Sequence, residues 1–277
     1  MTGGPITPSI QCSTGPFWTF ELGAAFDAIA AAGFTDIELM VTRDPATQHA
    51  ETPLKLASER GLRIAAIHGP FLALTKGVWG PDPLGKIRRG VEMCRTVGAT
   101  SLIVHPPYAW ERSYARWVGR DSTELAASTG VTVAVETMYP IWLGRRRLNV
   151  YQWLEPRELE RAAHHVVMDT SHLTVARHDV LDTYALLAPK LVHVHLSNNA
   201  GNGRDGHLEL DDGVVPIDAF LAELHRTQYS GVVSLELSVR SYLERPQALV
   251  EALQRNREYV ERRLAPSTRV EKELHRR

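Results

Sequence analysis

The stretch Leu191–His207, LVHVHLSNNAGNGRDGH, decides how the chain is read. Its first six residues alternate, so His193 and His195 share one face of an apolar strand. Ser-Asn-Asn-Ala-Gly-Asn-Gly then supplies loop residues, and the segment closes on Asp205-Gly206-His207. A buried strand that delivers imidazole at its C-terminal end, followed by a loop with a carboxylate and another imidazole, is costly unless something binds there. Buried polar groups need partners, and His with Asp is a metal-ligand set.

The same strand-to-loop pattern recurs on both sides. Strands are expected at Ile6–Ser13, Asp36–Thr42, Arg63–Gly69, Ser101–His105, Val131–Met138, His165–Thr170, Leu191–Leu196 and Val232–Ser238. Helices are expected at Phe17–Ala32, Pro53–Arg60, Leu84–Val97, Ser113–Thr129, Pro156–Ala163, Val180–Leu187, Ile217–Arg226 and Pro246–Leu264. Gly33, Gly61, Gly98 and Gly130 stand where the first four helices end. A polar and aromatic insert, Tyr139–Leu154, interrupts the alternation. Alternating strands and helices imply a parallel sheet with right-handed crossovers. Eight such units favour an α/β fold closed as a single (β/α)8 TIM barrel over residues 1–265, followed by a charged tail at 266–277. No Gly-rich dinucleotide or phosphate-loop fingerprint follows the first strand, which disfavours an open doubly wound sheet.

The 277 residues carry a formal net charge of -1, so no global basic field recruits nucleic acid or an anionic membrane, although a local patch would suffice. Cys12 and Cys94 supply no disulfide framework and fit a reducing compartment. The opening MTGGPITPSI lacks the basic and apolar regions of a signal peptide, and no apolar run approaches the ~18 residues of a membrane span. A cytoplasmic protein is therefore expected.

Placed on these strands, the polar residues form a set. His68, His105, Glu136, Asp169, His195 and Glu236 fall late in successive strands three to eight, with His172, Asp205 and His207 in the following loops. In a (β/α)8 barrel those ends converge on the face where active sites are built. A lone strand-end histidine is often only hydrogen-bonded. Glu136 inside VAVET and Glu236 inside SLELS are harder to excuse, because a carboxylate in a buried strand must be paired, protonated or metal-bound. Glu136, Asp169, His195 and Glu236, from four adjacent strands, can enclose one divalent cation such as Mn, Mg, Co, Fe or Zn. His68, His105, His172, Asp205 and His207 remain for a second and third metal, with Glu136 bridging. His164 and His165 open their strand at the opposite end and are read as structural; His193 is read as packed one layer below His195.

These segments resemble the xylose isomerase-like barrel superfamily, which includes sugar and sugar-phosphate isomerases or epimerases and the endonuclease IV-type AP endonucleases. The resemblance is carried by IHGP around His68, IVHPP around His105, VAVET around Glu136, MDTSH spanning Asp169 and His172, HVHLSNN around His195, DGHLELDDGVVPID from Asp205 and LEL around Glu236. For sugar-acting members it implies a metal held by Glu136, Asp169, His195 and Glu236, proton transfer by Glu136 and Glu236 through an enediolate, and His172 contacting substrate. For the endonuclease members it implies all nine positions holding three zinc ions that hydrolyse a phosphodiester.

The residues around the ligands depart from both patterns. Thr137-Met138-Tyr139-Pro140 replaces the endonucleases' Asn-Thr-Ala-Gly, and PPYAWERSYARW replaces their Pro-Gly-Ser. Some epimerases carry a second glutamate where Trp142 stands. Trp18, Trp79, Trp110, Trp117, Trp142 and Trp153 are expected in or just after loops at the barrel mouth, where rings stack on sugars or bases, or build small loop cores. Trp110, Trp142 and Arg145 are the candidate substrate contacts, Arg145 as part of an arginine run suited to a phosphate. The expected function is a metal-dependent isomerase or epimerase of a small sugar or sugar phosphate. The alternatives are a multinuclear zinc phosphodiesterase, the one reading that involves nucleic acid, and a non-catalytic sugar-binding barrel. Membrane is not an expected partner, and homo-oligomerisation is left open.

Overall fold

The computed structural model describes residues 7–144 and 146–265. Ile6, Arg145 and the 266–277 tail, all named above, lie outside the described residues. Ten strands run β1 (Ser9–Ser13), β2 (Asp36–Met40), β3 (Arg63–His68), β4 (Ser101–Val104), β5 (Thr132–Glu136), β6 (Ile141–Leu143), β7 (Arg146–Leu148), β8 (Val166–Asp169), β9 (Leu191–Leu196) and β10 (Val232–Leu235). Eight of them close a parallel barrel in the order β1-β10-β9-β8-β5-β4-β3-β2. The helices are α1 (Leu22–Ala31), α2 (Glu51–Ser58), α3 (Pro83–Val97), α4 (Arg112–Arg120), α5 (Ser122–Thr129), α6 (Pro156–Ala162), α7 (Thr170–Ala176), α8 (Val180–Leu187), α9 (Ile217–Arg226) and α10 (Pro246–Leu264). No helix among the described residues is long and apolar enough to cross a membrane.

Strand alternation builds two cores. Ile37, Leu39, Leu102, Val104, Val133, Val135, Val194 and Leu196 belong to the main buried core with the helices. Residues of the opposite parity turn into the barrel, where Ala66, Ile103, Ala134 and Val167 make a separate small apolar cluster. The other half of the interior is polar: Gln11, Glu38, His193 and Ser234 are each at most 2% exposed.

Four expectations change. The first helix is a short 3-10 turn at Gly15–Phe17 and then α1. The helix expected at Ser113–Thr129 breaks at Asp121 into α4 and α5, where Ser122 Oγ donates back to the Val118 carbonyl at 2.7 Å. The Tyr139–Leu154 insert contains a hairpin, with Ile141–Leu143 antiparallel to Arg146–Leu148. Directly after β8 stands α7, whose residues are buried almost all round, so no amphipathic period announces it. Its N-cap is Asp169, which accepts from the His172 N–H at 2.8 Å.

Candidate active site

Parallel register brings the expected ligands together. Asp169 pairs with His195 across β8 and β9, and His195 with Ser234 across β9 and β10, so Glu236 follows one inward position later. One ligand atom each from Glu136, Asp169, His195 and Glu236 lies within 4.8 Å of all the others. His195 Nδ1 is 2.7 Å from Glu136 Oε1, 3.1 Å from Glu236 Oε2 and 3.8 Å from Asp169 Oδ2. Asp169 Oδ2 is buried and has no hydrogen-bond partner, while Oδ1 caps α7. An orphaned carboxylate oxygen among two further carboxylates and an imidazole fits a hard-to-borderline divalent cation.

The remaining five residues flank this group. Glu136 Oε2 faces His68 Nε2 at 3.3 Å and His105 Nε2 at 3.2 Å, so its two oxygens serve different neighbours. His105 Nδ1 is buried without a partner. On the other side, His172 Nδ1 meets the Thr137 carbonyl at 2.8 Å, which fixes Nδ1 as the donor and turns Nε2 toward Asp205 Oδ2 at 3.2 Å. His207 Nε2 lies 3.0 Å from the same oxygen. Asp205 is held by the hydroxyls of Ser171 at 2.6 Å and Tyr139 at 3.3 Å. His68, His105 and Glu136 form a second potential ligand group, and Asp169, His172 and His207 a third.

The loop of the opening stretch is folded to present these groups. Asn198 and Leu208 exchange backbone hydrogen bonds at 2.9 and 2.8 Å, closing the loop on itself. A Cβ at Gly213, whose φ is +152°, would sit 2.3 Å from Asn198 Oδ1 and 2.5 Å from the Asn199 carbonyl oxygen, so only glycine permits this closure. His207 itself adopts φ 45°, in the left-handed region.

Glu38 was missed by the sequence reading. It is fully buried on β2 with Oε2 3.0 Å from His195 Nε2 and 2.8 Å from His193 Nε2. Its other oxygen accepts from Ser13 Oγ at 3.2 Å. The available signal was Glu38 between Ile37 and Leu39 in DIELM, the same carboxylate-in-a-strand anomaly as in VAVET. His193 is indeed packed below His195, and Glu38 is what both imidazoles face.

Charge in this cluster is balanced by the imidazoles. Burial pushes the Glu136 and Glu38 carboxyls up, but the surrounding histidines outweigh it and hold both well below the usual range. Burial dominates at Asp169 and Glu236 and raises both. Burial opposes charge on His195 and His172, yet the facing carboxylates lift both well above an ordinary histidine. His207 rises to about 9, with Asp205 overcoming burial. At His105 burial prevails and lowers it. A cation would take over the role these protons play.

Aromatic rings extend outward from the cluster. Tyr151 lies edge-on to His105 with ring centroids 6.2 Å apart, Tyr108 stacks on Tyr151 at 4.8 Å, and Trp110 stacks on Tyr108 at 5.0 Å. Trp110 is 68% exposed. Trp142 donates from Nε1 to the Val175 carbonyl at 3.0 Å, and the Arg177 guanidinium lies over its ring at 4.2 Å. Trp79, Trp117 and Trp153 pack partly buried against the main core. His178 is half-buried beside Glu155 at 3.7 Å.

A closed parallel barrel with a buried His and carboxylate cluster at its C-terminal strand ends defines the class. The chain belongs to the family of xylose isomerase-like TIM barrels, whose pattern matches residues 26–259. It is 31% identical over 274 residues to an uncharacterised protein of Mycobacterium leprae, covering 91% of this chain and 97% of that one. An uncharacterised protein of Mycobacterium tuberculosis is 30% identical, with 90% and 97% covered. Among solved structures, a D-tagatose 3-epimerase-like protein superposes with a TM-score of 0.66 at 19% identity, covering 93% of this chain and all (100%) of that one. An L-ribulose 3-epimerase gives 0.65 at 19% identity with 98% of each chain covered. A 3-keto-D-glucoside 4-epimerase from E. coli gives 0.64 at 20% identity, with 91% and 99% covered.

Proposed function

We propose that the chain is a metal-dependent isomerase or epimerase of a sugar or sugar phosphate, moving a proton at a carbon beside a carbonyl through an enediolate. The observation that carries this reading is that Glu136 Oε1 and Glu236 Oε2 both lie close to one atom, His195 Nδ1, at 2.7 and 3.1 Å. Two carboxylates on β5 and after β10 thus flank a single position. The descriptions of the structural neighbours as sugar epimerases support the same reading.

Glu136, Asp169, His195 and Glu236 would hold the divalent cation, which when bound supplies charge stabilisation for adjacent sugar oxygens. One of the two glutamates removes the carbon-bound proton, and the other returns a proton to the enediolate from its own side. His172, with Nε2 directed at Asp205, orients a substrate hydroxyl. Trp110 offers an exposed ring face, whereas the ring of Trp142 is covered by Arg177, so Trp142 shapes the mouth. Replacing Glu236 by Gln tests the assignment: turnover of ketoses and their phosphates is lost while metal is retained, and unchanged turnover refutes it.

A second reading, a multinuclear zinc phosphodiesterase, is favoured by the two additional ligand groups around Glu136 and Asp169. Two to three zinc ions per chain together with cleavage of an abasic-site duplex support it; a single manganese or magnesium per chain counts against it.

A further inference from the structure

Beside the metal-ligand cluster, the loops after β3 and β4 enclose a cleft of about 340 Å³. Phe71, Tyr108 and Trp110 give it aromatic walls, and Lys76, Lys86 and Glu111 give it charge. Lys86 is the unusual member, because it is only 4% exposed. Its Nζ donates to the carbonyls of Pro70 and Thr75 and lies 5.8 Å from the Phe71 ring centroid, but no carboxylate stands within ion-pairing distance among the described residues. It also sits in the first turn of α3, a 15-residue helix whose N-terminal dipole disfavours a cation. A buried ammonium at the positive end of a helix is paid twice in free energy, by lost hydration and by the dipole, unless an anion joins it.

The charged groups around it do not supply that anion. Glu111 accepts from the Tyr108 N–H at 2.9 Å and thereby caps its own loop. Asp82 caps α3 through the N–H groups of Leu84 and Gly85 and pairs with Arg88 at 3.3 Å. Lys76 adds a second positive charge from the exposed side. Burial, with Glu111 opposing and Lys76 contributing, pulls the Lys86 amine down to about 8. Pro70 lies two residues beyond His68, so the Lys86 amine stands at most about 7 Å of extended chain plus one hydrogen bond from the backbone of His68, on the same side of the barrel as the cluster.

We propose that this cleft is a phosphate subsite in which Lys86 and Lys76 bind the phosphorylated end of the substrate and Trp110 covers the sugar between phosphate and cluster. The proposal rests on the sugar reading for its substrate but not for its chemistry of binding, so the two are separable. Calorimetric titration of the full chain, stripped of metal so that the cluster itself holds no phosphate, with inorganic phosphate, ribose 5-phosphate and ribose provides the test. Ribose 5-phosphate binds more tightly than inorganic phosphate, and ribose at least tenfold more weakly than its phosphate. Lys86→Met lowers phosphate affinity by roughly tenfold or more, the value of a charged hydrogen bond, and the exposed Lys76→Ala by a few-fold. Absence of phosphate binding to the unsubstituted chain, affinity unchanged in Lys76→Ala and Lys86→Met, or no gain from the attached sugar overturns the proposal. Tight ribose 5-phosphate binding with no deuterium exchange into any ketose phosphate tested on the metal-loaded protein leaves the subsite standing and removes the isomerase reading.

Discussion

Glu38 Oε2 lies 3.0 Å from His195 Nε2, on the far side of the ring from Nδ1, which faces Glu136 at 2.7 Å. A carboxylate accepting from Nε2–H leaves the Nδ1 lone pair to ligate, and fixes the plane of the ring. Glu38→Gln keeps the size of the side chain but removes the anion, and the expected result is a loss of metal affinity of about 10–100-fold. Competition titration with a chelating dye reads this directly, independent of substrate. Unaltered affinity would show that the ring is held by packing alone.

Gly15 borders the other catalytic candidate. A Cβ there would stand 2.8 Å from Glu236 Oε1 and 2.6 Å from Met40 Cε. The thioether can swing away, but the carboxylate must shift. Gly15→Ala is therefore expected to lower kcat by roughly 100-fold, the cost of misplacing a reacting group by about 1 Å, while overpacking costs about 1–3 kcal/mol of stability. Steady-state kinetics beside a melting curve separate the two effects.

Asp205 joins His172 and His207 through one oxygen, at 3.2 and 3.0 Å. Asp205→Asn keeps the hydrogen bonds from Ser171 within reach and removes the charge. With a single metal at the four-residue group, metal content per chain stays the same and KM rises as His172 loses its orientation. A drop of one metal ion per chain, measured by elemental analysis, would instead assign these residues to a second ion.

The Lys86 amine titrates in the folded chain at about 8, below an unfolded lysine near 10.4. The unfolded chain therefore holds the extra proton between those values, and stability rises with pH across this window. Below about 8 both states are protonated and the full penalty applies. Denaturation midpoints from pH 7 to 10.5 should rise more steeply for the unsubstituted protein than for Lys86→Met. Parallel curves would place Lys86 in an environment that does not disfavour its charge.

The barrel was legible because short apolar strands alternate with helices along the chain, and from the third strand onward each carries a carboxylate or imidazole near its C-terminal end. The convergence of the histidines and carboxylates followed from topology, since parallel strands bring all C-terminal ends to one face. Glu38 was lost because it lies in the middle of the short DIELM segment rather than at its end, and its partners are remote in sequence. The turn at α7 was hidden because Thr170–Ala176 is buried on nearly every side, leaving no polar face to set a helical period. The Lys86 cleft depends on two loops and a helix end meeting in space, and one lysine on an amphipathic helix gives no sign of that.

The proposed proton transfer at a substrate carbon by Glu136 and Glu236 is most directly tested by solvent exchange. The metal-loaded protein, incubated with ketopentoses, ketohexoses and their phosphates in deuterium oxide, should place deuterium at a carbon beside the carbonyl, as read by proton NMR, and Glu236→Gln should abolish the conversion of one sugar into another. Absence of exchange in every sugar tested, together with cleavage of an abasic-site duplex, would contradict the isomerase assignment.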